Sequence, residues 1–157
     1  MNSFVYKVES VIFYMVIKMH KVKTFDISKI KSTLKELFEK EDNVEFAYVF
    51  GSVVSGKTHP FSDIDVAVYL KDDSIRKVVE LNAKIIDALG ENVDFIVLNK
   101  APYSFRYSII YRGVLIFSRN EDLRIEFESK AMLLGIEEKE ALDAIEKELL
   151  KRFLNDN

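Results

Sequence analysis

Apolar residues first settle into a regular pattern after Asp26. Ile27, Ile30, Leu34, Leu37 and Phe38 recur at the three-four spacing of one helical face, and Asp26 is placed to cap that helix. Glu41-Asp42-Asn43 reads as a turn. From Val44 to Phe50 the residues are aromatic and β-branched, which predicts a strand running straight into Gly51-Ser52. A loop with Gly56, His59 and Pro60 follows. The period then becomes two from Ser62 to Leu70, with Ile64, Val66, Val68 and Leu70 on one face and Asp63, Asp65, Ala67 and Tyr69 on the other.

Asp72-Asp73-Ser74 is placed to cap a second helix, whose apolar positions are Ile75, Val78, Val79, Ile85, Ile86 and Leu89 and which Gly90 ends. Val93 to Leu98 is a third strand with Asp94 and Ile96 on one face. Pro102 opens a helix to Arg112, and Gly113 starts a short strand from Val114 to Phe117. Two helices are predicted to close the chain. Leu123, Phe127, Ala131 and Leu134 line the first, which stops at Gly135, and Leu142, Ile145, Leu149 and Phe153 line the second. The succession describes an α/β domain of about four strands with flanking helices, followed by a helical tail. It divides into an apolar extension over 1–25, a central domain over 26–118, and C-terminal helices over 119–157 packed on that domain.

The extension contains the run Val11 to Ile17, closed by Lys18. It is shorter than the roughly 20 residues that span a bilayer. Glu9 interrupts its lead-in and no small-residue cleavage site follows, so a signal peptide is disfavoured. A buried strand or helix, an upstream start with Met19 as the natural first residue, and an interfacial segment all remain open readings.

Composition narrows the chemistry. The 157 residues fit one domain with its own core, and 48% are apolar. There is no cysteine, which removes disulfides, zinc-thiolate sites and a thiol nucleophile, and fits a reducing, cytoplasmic setting. A net charge of -3 argues against broad nucleic-acid binding, which needs a basic footprint. No membrane association is expected.

The stretch from Gly51 to Asp65 carries the chemistry. Gly51 lets the chain turn sharply at the end of a strand and approach a ligand closely. Ser52 adds a hydroxyl, and a helix starting there would aim free N–H groups at a phosphate. Asp63 and Asp65, two apart on a strand, project from one face. Paired carboxylates repel and persist where a cation lies between them. Magnesium suits them because it takes oxygen ligands and leaves positions for substrate phosphates. Asp94 joins them if the third strand lies beside the second. Such a set serves metal-assisted transfer of a nucleotidyl group, with Ser52 and neighbouring amides on the outer phosphates, and a second metal or Asp94 as base activating the attacking hydroxyl.

Gly51-Ser52, ten residues, Asp63-Ile64-Asp65, then Asp94 in a strand, resembles the minimal nucleotidyltransferase (MNT) domains of the DNA polymerase β superfamily. Val93 to Asn99 followed by Ala101-Pro102, and Gly113 to Phe117 followed by a charged helix, resemble the antitoxin branch encoded beside HEPN-domain toxins of the HepT kind. The likeness covers roughly residues 26–135. It implies a polymerase-β-like fold with a mixed sheet of about four strands, a Gly-Ser turn that binds the triphosphate of ATP, and Asp63, Asp65 and Asp94 as ligands of two magnesium ions. It also implies transfer of AMP to a tyrosine of the toxin, silencing its RNase.

Other residues read more simply as structure. Ser62 is a turn residue that could neighbour the site. Lys57 and His59 are loop residues, and His20 is a surface residue. Lys100, Arg106 and Arg112 are surface charges first and nucleotide contacts second. Phe105, Tyr107, Ile109 and Ile110 read as core and not as a base-stacking platform. Two other functions compete: a small-molecule transferase of the aminoglycoside type, for which the roughly 40 residues after Phe117 leave little acceptor domain, and an antitoxin that neutralises by contact alone. Nothing in these residues distinguishes adenine from another base, and the oligomeric state stays open.

Overall fold

A computed structural model of the chain describes residues 25–56, 63–90 and 93–155. Asp26 caps α1 (Ile27–Glu39), its carboxylate accepting from the amides of Ser28 at 3.0 Å and Lys29 at 3.2 Å. Strand β1 (Val44–Phe50) leads into a five-residue turn of helix, α2 (Gly51–Ser55). Strand β2 (Ile64–Leu70), α3 (Ile75–Leu89), β3 (Val93–Val97), α4 (Tyr103–Arg112), β4 (Val114–Ser118) and α5 (Glu121–Asn155) follow. The sheet order is β3-β2-β1-β4. β1 runs antiparallel to β2 and β4, and β2 runs parallel to β3. This is the mixed four-stranded sheet that the resemblance implies.

Alternation splits the sheet into two cores. Val44, Ala47, Val49, Ile64, Val66, Val68 and Leu70 face α1 and α3, where Leu34, Phe38, Leu81 and Ile85 cover them. Phe46, Tyr48 and Ala67 face α4 and α5, meeting Ile109 and Phe127. Asp65 lies between Ile64 and Val66, so strand geometry sends it to the second face. Ile75, Val79 and Ile86, read from sequence with the apolar positions of α3, are instead exposed, because that helix turns only one side to the sheet.

Polar side chains fasten the corners. β3 ends one residue earlier than predicted, as Leu98 enters a 3-10 turn (Leu98–Lys100). That turn presents the Asn99 amide to Leu70, accepting from its N–H at 3.0 Å and donating to its C=O at 2.8 Å. Arg119, just after β4, donates to Phe38 O at 2.9 Å and Val44 O at 3.1 Å, which satisfies a carbonyl at the end of α1. Asp72 holds the entry to α3 by accepting from Ser74 N–H at 2.9 Å, while Ser74 makes no side-chain cap bond of its own.

The tail departs from expectation. In place of two helices broken at Gly135, one helix of 35 residues runs through it, about 52 Å long. Gly135 is buried against α4. A Cβ there would stand 2.5 Å from Tyr107 Cβ and 2.6 Å from Tyr103 O. The glycine permits close helix packing and does not break the helix. Tyr48 donates to Glu128, which also accepts from Arg124 at 2.7 Å, joining the sheet to this helix. Glu138 accepts from Ser104 N–H at 2.5 Å. Beyond it, every residue from 139 to 154 is exposed, including Leu142, Ile145 and Leu149. Among the described residues, α4 meets α5 along the first part of that helix.

Gly135→Ala tests this account. Alanine raises helix propensity by about 1 kcal/mol, but overpacking a tight contact costs about 1–3 kcal/mol. With two contacts under 3 Å the second effect dominates, so the urea midpoint is expected to fall. A rise would show that Gly135 is not a packing residue.

Candidate active site

The site forms where β1 ends and β2 and β3 begin. Phe50 is extended (φ -142°) and Gly51 turns to φ +71°, a region that disfavours a Cβ. Space demands glycine as well. A Cβ on residue 51 would lie 1.9 Å from Asp65 Oδ2 and 2.8 Å from Asp65 Cγ. Val53 is buried beneath the turn, and Gly56 (φ 70°) closes α2.

Strand register assembles the acids. Phe50 pairs with Asp65 across the antiparallel ladder, and Asp65 pairs with Asp94 across the parallel one. Paired residues in a sheet point to the same side, so Asp65 and Asp94 project together, and Asp63 precedes them by one alternation. Asp63 and Asp65 are half-buried and Asp94 is exposed.

The electrostatics agree. Burial pushes the Asp65 carboxyl above the usual carboxylate range, the charges of Asp94 and then Asp63 push it further, and the Ser52 backbone N–H opposes them. One carboxylate thus receives a backbone donor from the Gly-Ser turn on one side and two like charges on the other. Among the described residues, no three acidic or histidine side chains close into a ready-made cation cage. The donor set nonetheless fits a hard cation in kind. Asp63, Asp65 and Asp94 offer only carboxylate oxygens, and a cation beside Asp65 would relieve its repulsion.

Other sequence candidates fall elsewhere. Ser62, Lys57, His59, His20 and the Val11 to Ile17 run lie outside the described residues. Lys100 pairs with Asp73 at 2.8 Å, beyond the opposite end of β2. Arg106 donates to Asn99 O at 2.8 Å and lies over Tyr103 and Phe127, so it is a packing residue. Arg112 is exposed. Of the group read as core, Ile109 is buried, but Phe105 is 37% exposed and meets Phe50, the residue opposite Asp65. Sequence reading missed both phenylalanines as site neighbours. No local pattern marks either residue, because their contact joins segments far apart in the chain. Among the described residues, no helix is long and apolar enough to cross a membrane.

An open mixed sheet with a Gly-Ser turn against strand-borne acids defines a nucleotidyl-transfer fold. Residues 32–122 match the family described as polymerase beta, nucleotidyltransferase, and the chain belongs to that family. It is similar to the protein adenylyltransferase MntA of Shewanella oneidensis, at 31% identity over 91 residues, which is 57% of this chain and 65% of that protein. The match thus spans just under two thirds of that relative's length. Among solved structures, one described as a toxin-antitoxin with AMP-PNP has a chain similar at a TM-score of 0.59 and 23% identity, covering 83% of this chain and 99% of that one. Another, a tri-AMPylated Shewanella oneidensis HEPN toxin in complex with MNT antitoxin, matches at a TM-score of 0.55 and 23% identity, over 80% of this chain and 96% of that one. These two likenesses show the fold.

Two outcomes check the site. Gly51→Ala is expected to lose at least about 1–3 kcal/mol from backbone strain alone, read as a lower thermal midpoint, and unchanged stability would mean the turn is not held against Asp65. The second concerns pH in chelator-treated protein. Because the folded-state pKa of Asp65 is raised, its ionised form costs stability above the unfolded value near about 4, and nothing below it. Asp65→Asn should therefore raise the midpoint at neutral pH, with the gain fading as pH falls through the carboxylate range. A gain independent of pH would contradict the assigned repulsion.

Proposed function

We propose that this protein transfers AMP from ATP to a tyrosine hydroxyl of a HEPN-family RNase toxin and thereby acts as its antitoxin. The observation that carries the transferase part is Asp65, held against Gly51 on one side and opposite Asp94 on the other. The acceptor part rests on likeness to a relative named as a protein adenylyltransferase and to the fold of an MNT antitoxin seen with an AMPylated HEPN toxin. The exposed Leu142, Ile145 and Leu149 favour a macromolecular partner over a small acceptor, since they leave an apolar helix face for contact.

Each residue has a role in this reading. Gly51 keeps the space beside Asp65 free of a side chain, so phosphate can approach. Ser52 holds the outer phosphates through its hydroxyl and neighbouring amides, and Ser62 is assigned to the same phosphates. Asp63, Asp65 and Asp94 would hold the magnesium ions, which when bound would supply charge neutralisation of the triphosphate and polarisation of the α-phosphorus. Asp94, the exposed member, is placed to take the proton of the incoming hydroxyl. The new bond joins that oxygen to the α-phosphorus, the bond to the bridging oxygen breaks, and pyrophosphate leaves.

The test is incubation of the protein with ATP labelled at the α-phosphate, magnesium and the HEPN toxin encoded beside it. Label is expected on a toxin tyrosine, at background with chelator and lowered at least about a hundredfold in Asp63→Asn/Asp65→Asn, the scale of lost transition-state charge stabilisation. If the toxin stays unlabelled while the double variant still neutralises it, the protein acts by contact. Label appearing on an aminoglycoside and never on the toxin would point to the small-molecule reading.

A further inference from the structure

The path of α4 across the sheet leads away from one corner. α4 starts just after Asn99, whose amide is fixed to Leu70 at the carboxyl end of β2. It ends at Gly113, next to Val114, which pairs with Val49 near the carboxylate end of β1. The helix therefore crosses from the far end of β2 to the site end of β1 and β4. Among the described residues no helix covers the corner where β2 and β3 begin, with Asp65 and Asp94, and Asp94 is exposed.

One side of α4 is occupied by α5, with Tyr103 and Tyr107 against Gly135. Phe105 lies two residues from each of those tyrosines, which turns it to another side. There its ring meets Phe50 edge-on, at 6.1 Å and 84°. Phe50 is the cross-strand partner of Asp65 and immediately precedes Gly51. A ring 37% exposed thus borders the carboxylate corner, braced by the residue that leads into the Gly-Ser turn.

From this juxtaposition we infer that Phe105 is the stacking surface for the nucleobase of the triphosphate. The inference rests on the transferase reading above. Phosphates at Gly51-Ser52 and the carboxylates leave the base one ribose away, on the face of the sheet that α4 borders. An aromatic ring offers a base π-contact and an apolar surface, and needs no hydrogen-bond pairing. Stacking accepts every base, which agrees with a site whose polar residues address phosphate and metal and not a base edge.

The chain has no tryptophan, so Phe105→Trp introduces a single reporter at this position. Titration of that variant with magnesium-ATP is expected to quench its emission, and titration with magnesium and ribose 5-triphosphate, which has the phosphates and no base, is not. In calorimetry, Phe105→Leu should weaken magnesium-ATP by about tenfold, the scale of a lost base–aromatic contact, and leave ribose 5-triphosphate binding as in the parent. Phe105→Trp should retain parental ATP affinity. Equal quenching by the two ligands, or parental ATP affinity in Phe105→Leu, would overturn the stacking role while the transferase reading stands. If the parent binds neither triphosphate, the transferase reading falls and the inference with it.

Discussion

Everything at the site depends on one line of register across the sheet: Phe50 opposite Asp65, and Asp65 opposite Asp94. A slip of one residue in β2 would exchange its faces, burying Asp63 and Asp65 beneath α1 and α3 and exposing Ile64 and Val66. The apolar set Ile64, Val66, Val68 and Leu70, each at most 1% exposed, makes that exchange very costly. The carboxylates are therefore positioned by the hydrophobic residues between them. The core of one face fixes the chemistry of the other.

The second face needs its own cover, and helix packing provides it. α4 and α5 lie over Phe46, Tyr48 and Ala67, and Tyr48, Glu128 and Arg124 form a polar tie within this otherwise apolar layer. Burial and the neighbouring carboxylate keep the Tyr48 phenol protonated well above its ordinary range, so it donates to Glu128 throughout physiological pH. Arg119 closes the opposite layer by tying the end of β4 to the end of α1. Ion pairs exposed on the surface, such as Lys77 with Glu80, contribute little beside these.

The carboxylate corner works against folding. Asp65 is kept near two like charges in a half-buried place, which raises the free energy of the folded chain. In the proposed reaction a cation and the phosphates it carries would lower that free energy, so affinity would come partly from relief of repulsion. The turn at Gly51 lets the backbone come close enough for the Ser52 amide to hold Asp65 in place. The far half of α5 leaves Leu142, Ile145 and Leu149 exposed, the apolar side on which the proposed partner contact rests.

How much of this was legible in the residues follows from the range of the forces involved. Alternation along β2 is local, so the sharing of one face by Asp63 and Asp65 was readable directly, as was the cap at Asp26. The Gly-Ser turn was readable as a motif, although the collision that makes glycine obligatory at 51 involves Asp65, fourteen positions on. Gly135 was misread because a glycine inside a helical pattern carries the same local signal whether it ends a helix or admits a neighbour. Only Tyr103 and Tyr107, from another helix, decide between the two. Phe105, read as core, is partly exposed for a related reason, since only the path of its helix across the sheet decides which of its sides is covered. The sequence by itself determined the strands, their faces and the acids they carry, because backbone geometry imposes a period of two on any extended chain. Tertiary structure alone decided that β3 lies beside β2 with Asp94 opposite Asp65, and which glycines and aromatics serve packing or the site, because those depend on contacts between segments far apart in the chain.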